Sequence, residues 1–154
     1  MIATKCGLQQ EGAAIRPNLS PSFIKEEIGN SLRRLGVERI DLYQCHWPDP
    51  NTSVEETFGQ LEKLVSEGKI RYFGISNYDV PLMKKVLKVS GIASNQVRYS
   101  IFDREIETDL MPLCGRMNVS VLSYGSLGGG ILTGKYKEPP VLPKGDVRSF
   151  FYKF

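Results

Sequence analysis

Five short apolar runs, at residues 2–4, 40–45, 70–75, 94–99 and 119–124, alternate with stretches of helical periodicity along the chain. That alternation leaves few folds open. Each run reads as a buried strand, and the connections are too long for hairpins. Strands joined by helical crossovers lie parallel, in a sheet covered by helices. Two α/β architectures accept five such βα units. One is a (β/α)8 TIM barrel, which needs about 250 residues. A chain of 154 residues would then be an incomplete barrel, a single partial domain over residues 1–154. The alternative is an open parallel α/β sheet, complete as it stands. In both, functional groups belong at the carboxyl ends of the strands.

The helices carry their own punctuation. The first is expected to have Ser20 as N-cap and Pro21 at its first position. Its apolar stripe is Ile24, Ile28, Leu32 and Leu35, and Gly36 ends it. The second opens on Ser53 and Glu56 at capping-box spacing. Val54, Phe58, Leu61 and Val65 form its buried face, and Gly68 stops it. The third runs over residues 79–89, with Leu82, Val86 and Val89 inward and Gly91 after it. The fourth lies near residues 108–117, where Pro112 is tolerated in or just past the first turn. Residues 7–19 and 138–145 read as loops. The tail "DVRSFFYKF" carries no recognisable element.

Composition excludes several partners. A net charge of +3 is too small to argue for a nucleic-acid or membrane partner. No apolar run approaches the ~20 residues of a membrane span. The start "MIATKCG" lacks the parts of a signal peptide. Cys6, Cys45 and Cys114 are scattered singly, without metal spacing or a disulfide framework, so no metal site and a cytoplasmic location are expected. Cys45 and Cys114 sit in apolar settings and read as small core residues.

The strand ends hold polar groups suited to chemistry. They are Lys5, His46 with Trp47, Ser76 with Asn77, Gln96, and Tyr124 followed by "GSLGGGILTGK". His46 is the only histidine, and Pro48 and Pro50 stop the sheet just beyond it. Each residue also has a plain structural reading: a solvated lysine, a hydrogen-bonded histidine, a Ser-Asn turn into the third helix. The glycine run contains G-x-x-x-x-G-K, but Tyr136 stands where a P-loop needs Ser or Thr for magnesium. The G-x-G-x-x-G dinucleotide fingerprint is absent. These glycines read as places where backbone can approach a ligand closely.

Taken in order, "IATK", "DLYQCHWPDP", "GKIRYFGISNYD", "NQVRYSIFDR" and "LSYGSLGGGILTGKY" resemble the successive strand-end signatures of the aldo-keto reductases. They keep that family's order and about its spacing, over nearly the whole chain. The resemblance implies the TIM barrel, with these strands as its third to seventh. It implies an oxidoreductase that reduces aldehydes or ketones with NADP(H), bound without a Rossmann motif. NAD(H) stays open, because the strand-eight segment that recognises the adenosine 2′-phosphate is not in this sequence.

The family's tetrad is Asp, Tyr, Lys and His. By resemblance Lys5 and His46 are catalytic. The Asp and Tyr belong to a segment upstream of Met1, so this chain is expected to be a fragment with little turnover of its own. Ser76, Asn77 and Gln96 match the carboxamide-binding residues, and Tyr124 the aromatic under the nicotinamide. Gly125, Ser126, Leu127, Gly128 and Gly129 match the pyrophosphate-side loop, and Lys135 a position that contacts phosphate in some members. Many members have "YSPLG" where this chain has "YGSLG". Trp47 is expected to line the substrate pocket. The alternative class is a non-catalytic regulatory subunit of the potassium-channel β type, which shares the barrel. That group has asparagine at the position of His46, so the histidine favours the enzyme. The expected partner is a small carbonyl substrate. Open sheet edges make self-association of the chain a further expectation.

Overall fold

The computed structural model describes residues 1–151, with the side chains of residues 150 and 151 outside the description. Chain order begins with strand β1 (Ala3–Cys6), a hairpin of β2 (Leu8–Glu11) and β3 (Ala14–Pro17), and helix α1 (Pro21–Leu35). Then follow β4 (Ile40–Cys45), α2 (Val54–Ser66), β5 (Ile70–Ser76) and α3 (Val80–Val89). The chain continues through β6 (Ser94–Arg98), α4 (Leu110–Arg116), β7 (Ser120–Tyr124) and the single turn α5 (Arg148–Phe151). Five strands form one sheet in the order β1-β4-β5-β6-β7, all neighbours parallel. The fold is a parallel α/β sheet covered by helices, consistent with part of a (β/α)8 barrel.

The helices form where caps and apolar spacing coincide. Ser20 is the N-cap of α1, with Pro21 at the first position, and Gly36 closes it at φ 65°. Ser20 Oγ donates to Asn18 Oδ1 rather than accepting from the helix. In α2 the capping box is complete, with Ser53 Oγ accepting from the Glu56 N–H and the Glu56 carboxylate accepting from the Ser53 N–H. Asp79 caps α3 by accepting from the Leu82 N–H at 2.9 Å. Phe58, Leu61, Met83 and Val86 pack with Phe73 and Ile75 of the sheet into one core. Cys6, Cys45 and Cys114 are free thiols in that core.

Several expectations are corrected. The first strand is Ala3–Cys6, not residues 2–4, because backbone pairing with β4 continues through Cys6. Residues 7–19 are not a loop. Leu8–Glu11 and Ala14–Pro17 pair antiparallel around Gly12, whose φ of 60° suits glycine in a tight turn. Leu35, Val65 and Val89 are exposed, not inward. Each lies in a last turn, and in α2 Leu64, one residue earlier, takes the buried place expected of Val65. The fourth helix is shorter than residues 108–117. A 3-10 turn (Glu105–Glu107) precedes α4, and Pro112 falls in the first turn of α4. The tail does hold an element, α5, while residues 152–154 lie outside the described residues. Residues 138–145 are loop as expected. Among the described residues no helix is long and apolar enough to cross a membrane.

Candidate active site

Parallel strands bring their carboxyl ends to one edge of the sheet. Lys5, His46, Ser76, Gln96 and Tyr124 stand there in strand order, on β1, just past β4, and on β5, β6 and β7. With Trp47 and Asn77 they line a recess of ≈ 180 Å³. Alternation explains the shared face. Tyr43, Cys45, Phe73 and Ile75 turn into the core, so Gln44 and Ser76 turn the other way. Ser76 is buried, Trp47 is exposed, and Lys5, His46, Asn77, Gln96 and Tyr124 lie between.

The backbone that carries His46 is held from two sides. Its N–H donates to Cys6 O at 2.9 Å, and its carbonyl accepts from Asn77 Nδ2 at 3.1 Å. Asn77 reaches that carbonyl from a left-handed backbone, φ 63°, a conformation asparagine tolerates better than most residues. Its Nδ2 also donates to Ser76 Oγ at 3.1 Å, and its Oδ1 accepts from Tyr124 OH at 2.9 Å. One asparagine therefore ties the ends of β4, β5 and β7 together. Ser76 Oγ donates to Gln96 O at 2.9 Å, and Gln44 Nε2 donates to Gln96 Oε1 at 3.1 Å.

Burial, reinforced by the Lys5 ammonium, holds the His46 imidazolium below its ordinary range. The neutral ring, with one N–H donor and one acceptor, is favoured. Neither Tyr43 nor Tyr72 of the sheet is placed to act as proton donor here. Tyr43 is fully buried on the helix side, and burial followed by the Cys6 and Glu27 charges pushes its phenol far up. Tyr72 stands four residues before Ser76, about 13 Å along the strand.

After Tyr124 the chain turns at Gly125, with φ 70°, and Gly128 N–H closes the turn onto Gly125 O at 2.8 Å. Gly128 is also a close-approach position, since a Cβ there would lie 2.9 Å from the Phe102 ring. Ser126 and Leu127 are exposed on this loop, and Gly129 continues it in left-handed backbone. Lys135 does not line the recess. It is exposed, with its ammonium over the Tyr136 ring. Gln44 is the group that sequence reasoning missed. The available signal was an amide of the same strand parity as His46, inside an otherwise apolar run. Among the described residues no group of three or more His, Cys, Asp or Glu could hold a metal ion.

Comparison with known proteins identifies the frame. The model of the aldo/keto reductase family matches residues 1–151. An aldo-keto reductase of Bacillus subtilis is 37% identical over 154 residues, covering 100% of this chain and 46% of the relative. The structure of a glycerol dehydrogenase from Gluconobacter oxydans superposes with a TM-score of 0.88 at 40% identity, covering 96% of this chain and 46% of that one. A Klebsiella pneumoniae aldo-keto reductase in complex with NADPH gives a TM-score of 0.70 at 36% identity, over 73% of this chain and 40% of that one. The chain spans about half the length of the relatives it matches.

Proposed function

The chain belongs to the aldo/keto reductase family, and we propose that its recess holds the nicotinamide end of NADP(H) for the reduction of an aldehyde or ketone. The observation that carries this reading is the convergence of Lys5, His46, Ser76, Asn77, Gln96 and Tyr124 on one recess at the strand ends. The donor set fits a primary carboxamide. Ser76 Oγ gives its proton to Gln96 O and so faces a ligand as acceptor, while Gln96 Nε2 remains a donor. Tyr124 offers a flat apolar ring face. The bound dinucleotide would supply hydride to a carbonyl carbon.

The roles of this chain's residues follow from charge. When hydride reaches the carbonyl carbon, negative charge grows on the oxygen, and something must stabilise and protonate it. His46, neutral and fixed through its backbone, donates an N–H to that oxygen and positions it. Lys5 places a positive charge beside the oxygen. It would also favour the phenolate of a neighbouring tyrosine, lowering a pKa of about 10. By family resemblance that tyrosine, and the aspartate that orients Lys5, come from polypeptide outside residues 1–154. The 154-residue chain alone is therefore a binding frame with little turnover. Trp47 forms the apolar wall for substrate, and Gly125, Ser126, Leu127, Gly128 and Gly129 approach the pyrophosphate. NAD(H) remains open, because none of these groups reads the 2′-phosphate. His46 favours the reductase over a non-catalytic channel-type subunit.

Titration of NADPH into the chain, followed by nicotinamide fluorescence, tests the reading. Binding is expected, weakened roughly fivefold in Gln96→Leu by loss of one hydrogen bond. A chain that binds no dinucleotide overturns it. In a longer protein containing this segment, carbonyl-dependent NADPH oxidation that survives His46→Ala undiminished would remove His46 from the reaction.

A further inference from the structure

Gln44 is a buried polar side chain next to the recess that this reading leaves without a task. It is 1% exposed, lies two residues before His46, and faces the same side of β4. Buried amides are rarely kept without partners. Its partner is Gln96, whose Oε1 accepts from Gln44 Nε2 at 3.1 Å. These two residues are not on neighbouring strands. β5 runs between them, and Gln44 is in register with Gly74 while Gln96 is in register with Ser76, so the two side chains reach both across β5 and along it.

Gly74 keeps the surface of β5 clear beside Gln44. Gly74 is the register partner of Gln44. A Cβ there would lie 2.4 Å from Ser94 Oγ, 2.8 Å from Ser94 O and 3.4 Å from Gln44 Cγ. Gly74 has no positive φ, so the position uses the missing side chain and not the backbone freedom of glycine.

Resting on the nicotinamide reading of the recess, we propose that Gln44 is a positioning residue that fixes the orientation of the Gln96 amide and with it the hydrogen-bonding polarity around Gln96. A primary amide has an acceptor end and a donor end. With Oε1 engaged by Gln44, the donor Nε2 is presented to the ligand, and no described residue accepts from it. The neighbouring groups have the opposite polarity. Ser76 Oγ has spent its proton on Gln96 O. Asn77 Nδ2 has spent its protons on His46 O and Ser76 Oγ, and Oδ1, which accepts from Tyr124 OH with one lone pair, keeps its second. A carboxamide then fits one way round, its oxygen toward Gln96 and its nitrogen toward Ser76 and Asn77. That choice fixes which face of the attached ring looks toward His46.

Two measurements test this. With isotope-labelled glutamine in the unaltered chain, the side-chain amide protons of Gln44 are expected to exchange slowly with water and those of Gln96 quickly. The readout is solution NMR, or magic-angle spinning for assemblies too large to tumble. The second measurement compares binding of NADP+ with two analogues. The thionicotinamide form has a weaker acceptor in place of the carboxamide oxygen. The 3-acetylpyridine form keeps the oxygen and replaces the nitrogen by a methyl group. Each analogue is expected to bind roughly fivefold more weakly than NADP+, the loss of about one hydrogen bond. Gln44→Met keeps the volume and removes the donor. It is expected to erase most of the thionicotinamide penalty and to leave the acetylpyridine penalty unchanged. Equal thionicotinamide penalties in the two proteins would overturn the proposal, as would fast exchange at Gln44 with slow exchange at Gln96. The exchange measurement needs no variant, so it decides even if Gln44→Met does not fold. The expected exchange pattern without any dinucleotide binding would support the role of Gln44 and sink the nicotinamide reading alone.

Discussion

His46 is the only imidazole in the chain, so its titration can be read without assignment. Burial, then the Lys5 charge, holds its pKa below 6.5. Unfolded, the ring would titrate near the ordinary value, so between the two pKa values the unfolded chain binds more protons. Stability therefore rises with pH across the window just below 6.5 and is lost as pH falls through it. Lys5→Met removes the like charge and leaves the burial. The His46 midpoint is expected to rise toward, but not reach, 6.5, as read from the imidazole proton shifts. A midpoint that ignores Lys5→Met would mean that the ammonium does not act on the ring. At this scale the residues of the recess were legible because most of them stand at or next to the end of a strand, where the sequence turns from apolar to polar. Gln44 was not. An amide inside a strand shows its purpose only when the neighbouring strands and the gap at Gly74 are in place.

The elements repeat the same lesson with backbone in place of side chains. Helix starts were legible wherever a cap residue and an apolar stripe agreed, as at Ser53 and Glu56. Ser53→Ala removes the acceptor for the Glu56 N–H and is expected to cost about 0.5–2 kcal/mol, measured by urea unfolding against the parent. The β2–β3 hairpin was not legible. "LQQE" and "AIRP" are half-buried or exposed, so no apolar alternation marks them, and only the backbone ladder around Gly12 defines them. Val65 misled because helical spacing from Leu61 admits either Leu64, three residues on, or Val65, four residues on, and Leu64 takes the buried place. The sharpest stability prediction at this scale falls on Gly74. A methyl group there meets the Ser94 carbonyl as well as its hydroxyl, and backbone cannot move aside cheaply. Gly74→Ala is expected to lose about 1–3 kcal/mol, whereas Gly29→Ala, where a Cβ meets nothing within 4 Å, should not. Equal melting temperatures for the two would show that β5 has room the packing denies.

At the scale of the whole molecule, the alternation of strands and helices made the parallel order readable before any contact was known. Closure was not readable, because nothing local in a strand says how many others complete its ring. Within the described residues the sheet ends at β1 and β7, each paired on one side only. The β7 edge is the greater liability. Ser120–Tyr124 is uncharged, free of proline and rich in strand-forming residues, the composition of a segment that recruits another strand. The face away from the helices adds to it. Tyr72 is 51% exposed there, beside Leu42, its partner on β4. Each 100 Å² of apolar surface left in water forgoes about 2.5 kcal/mol, against a total stability of about 5–15 kcal/mol. The isolated chain is therefore expected to self-associate or to melt without cooperativity, and to become monodisperse when strands that cover both edges are supplied in trans. Size-exclusion chromatography with light scattering, paired with thermal melting, checks it. A sharp melt from a monodisperse monomer would mean that the two edges and the open face are tolerated in water, and the half-barrel would have to be counted as a domain that folds by itself.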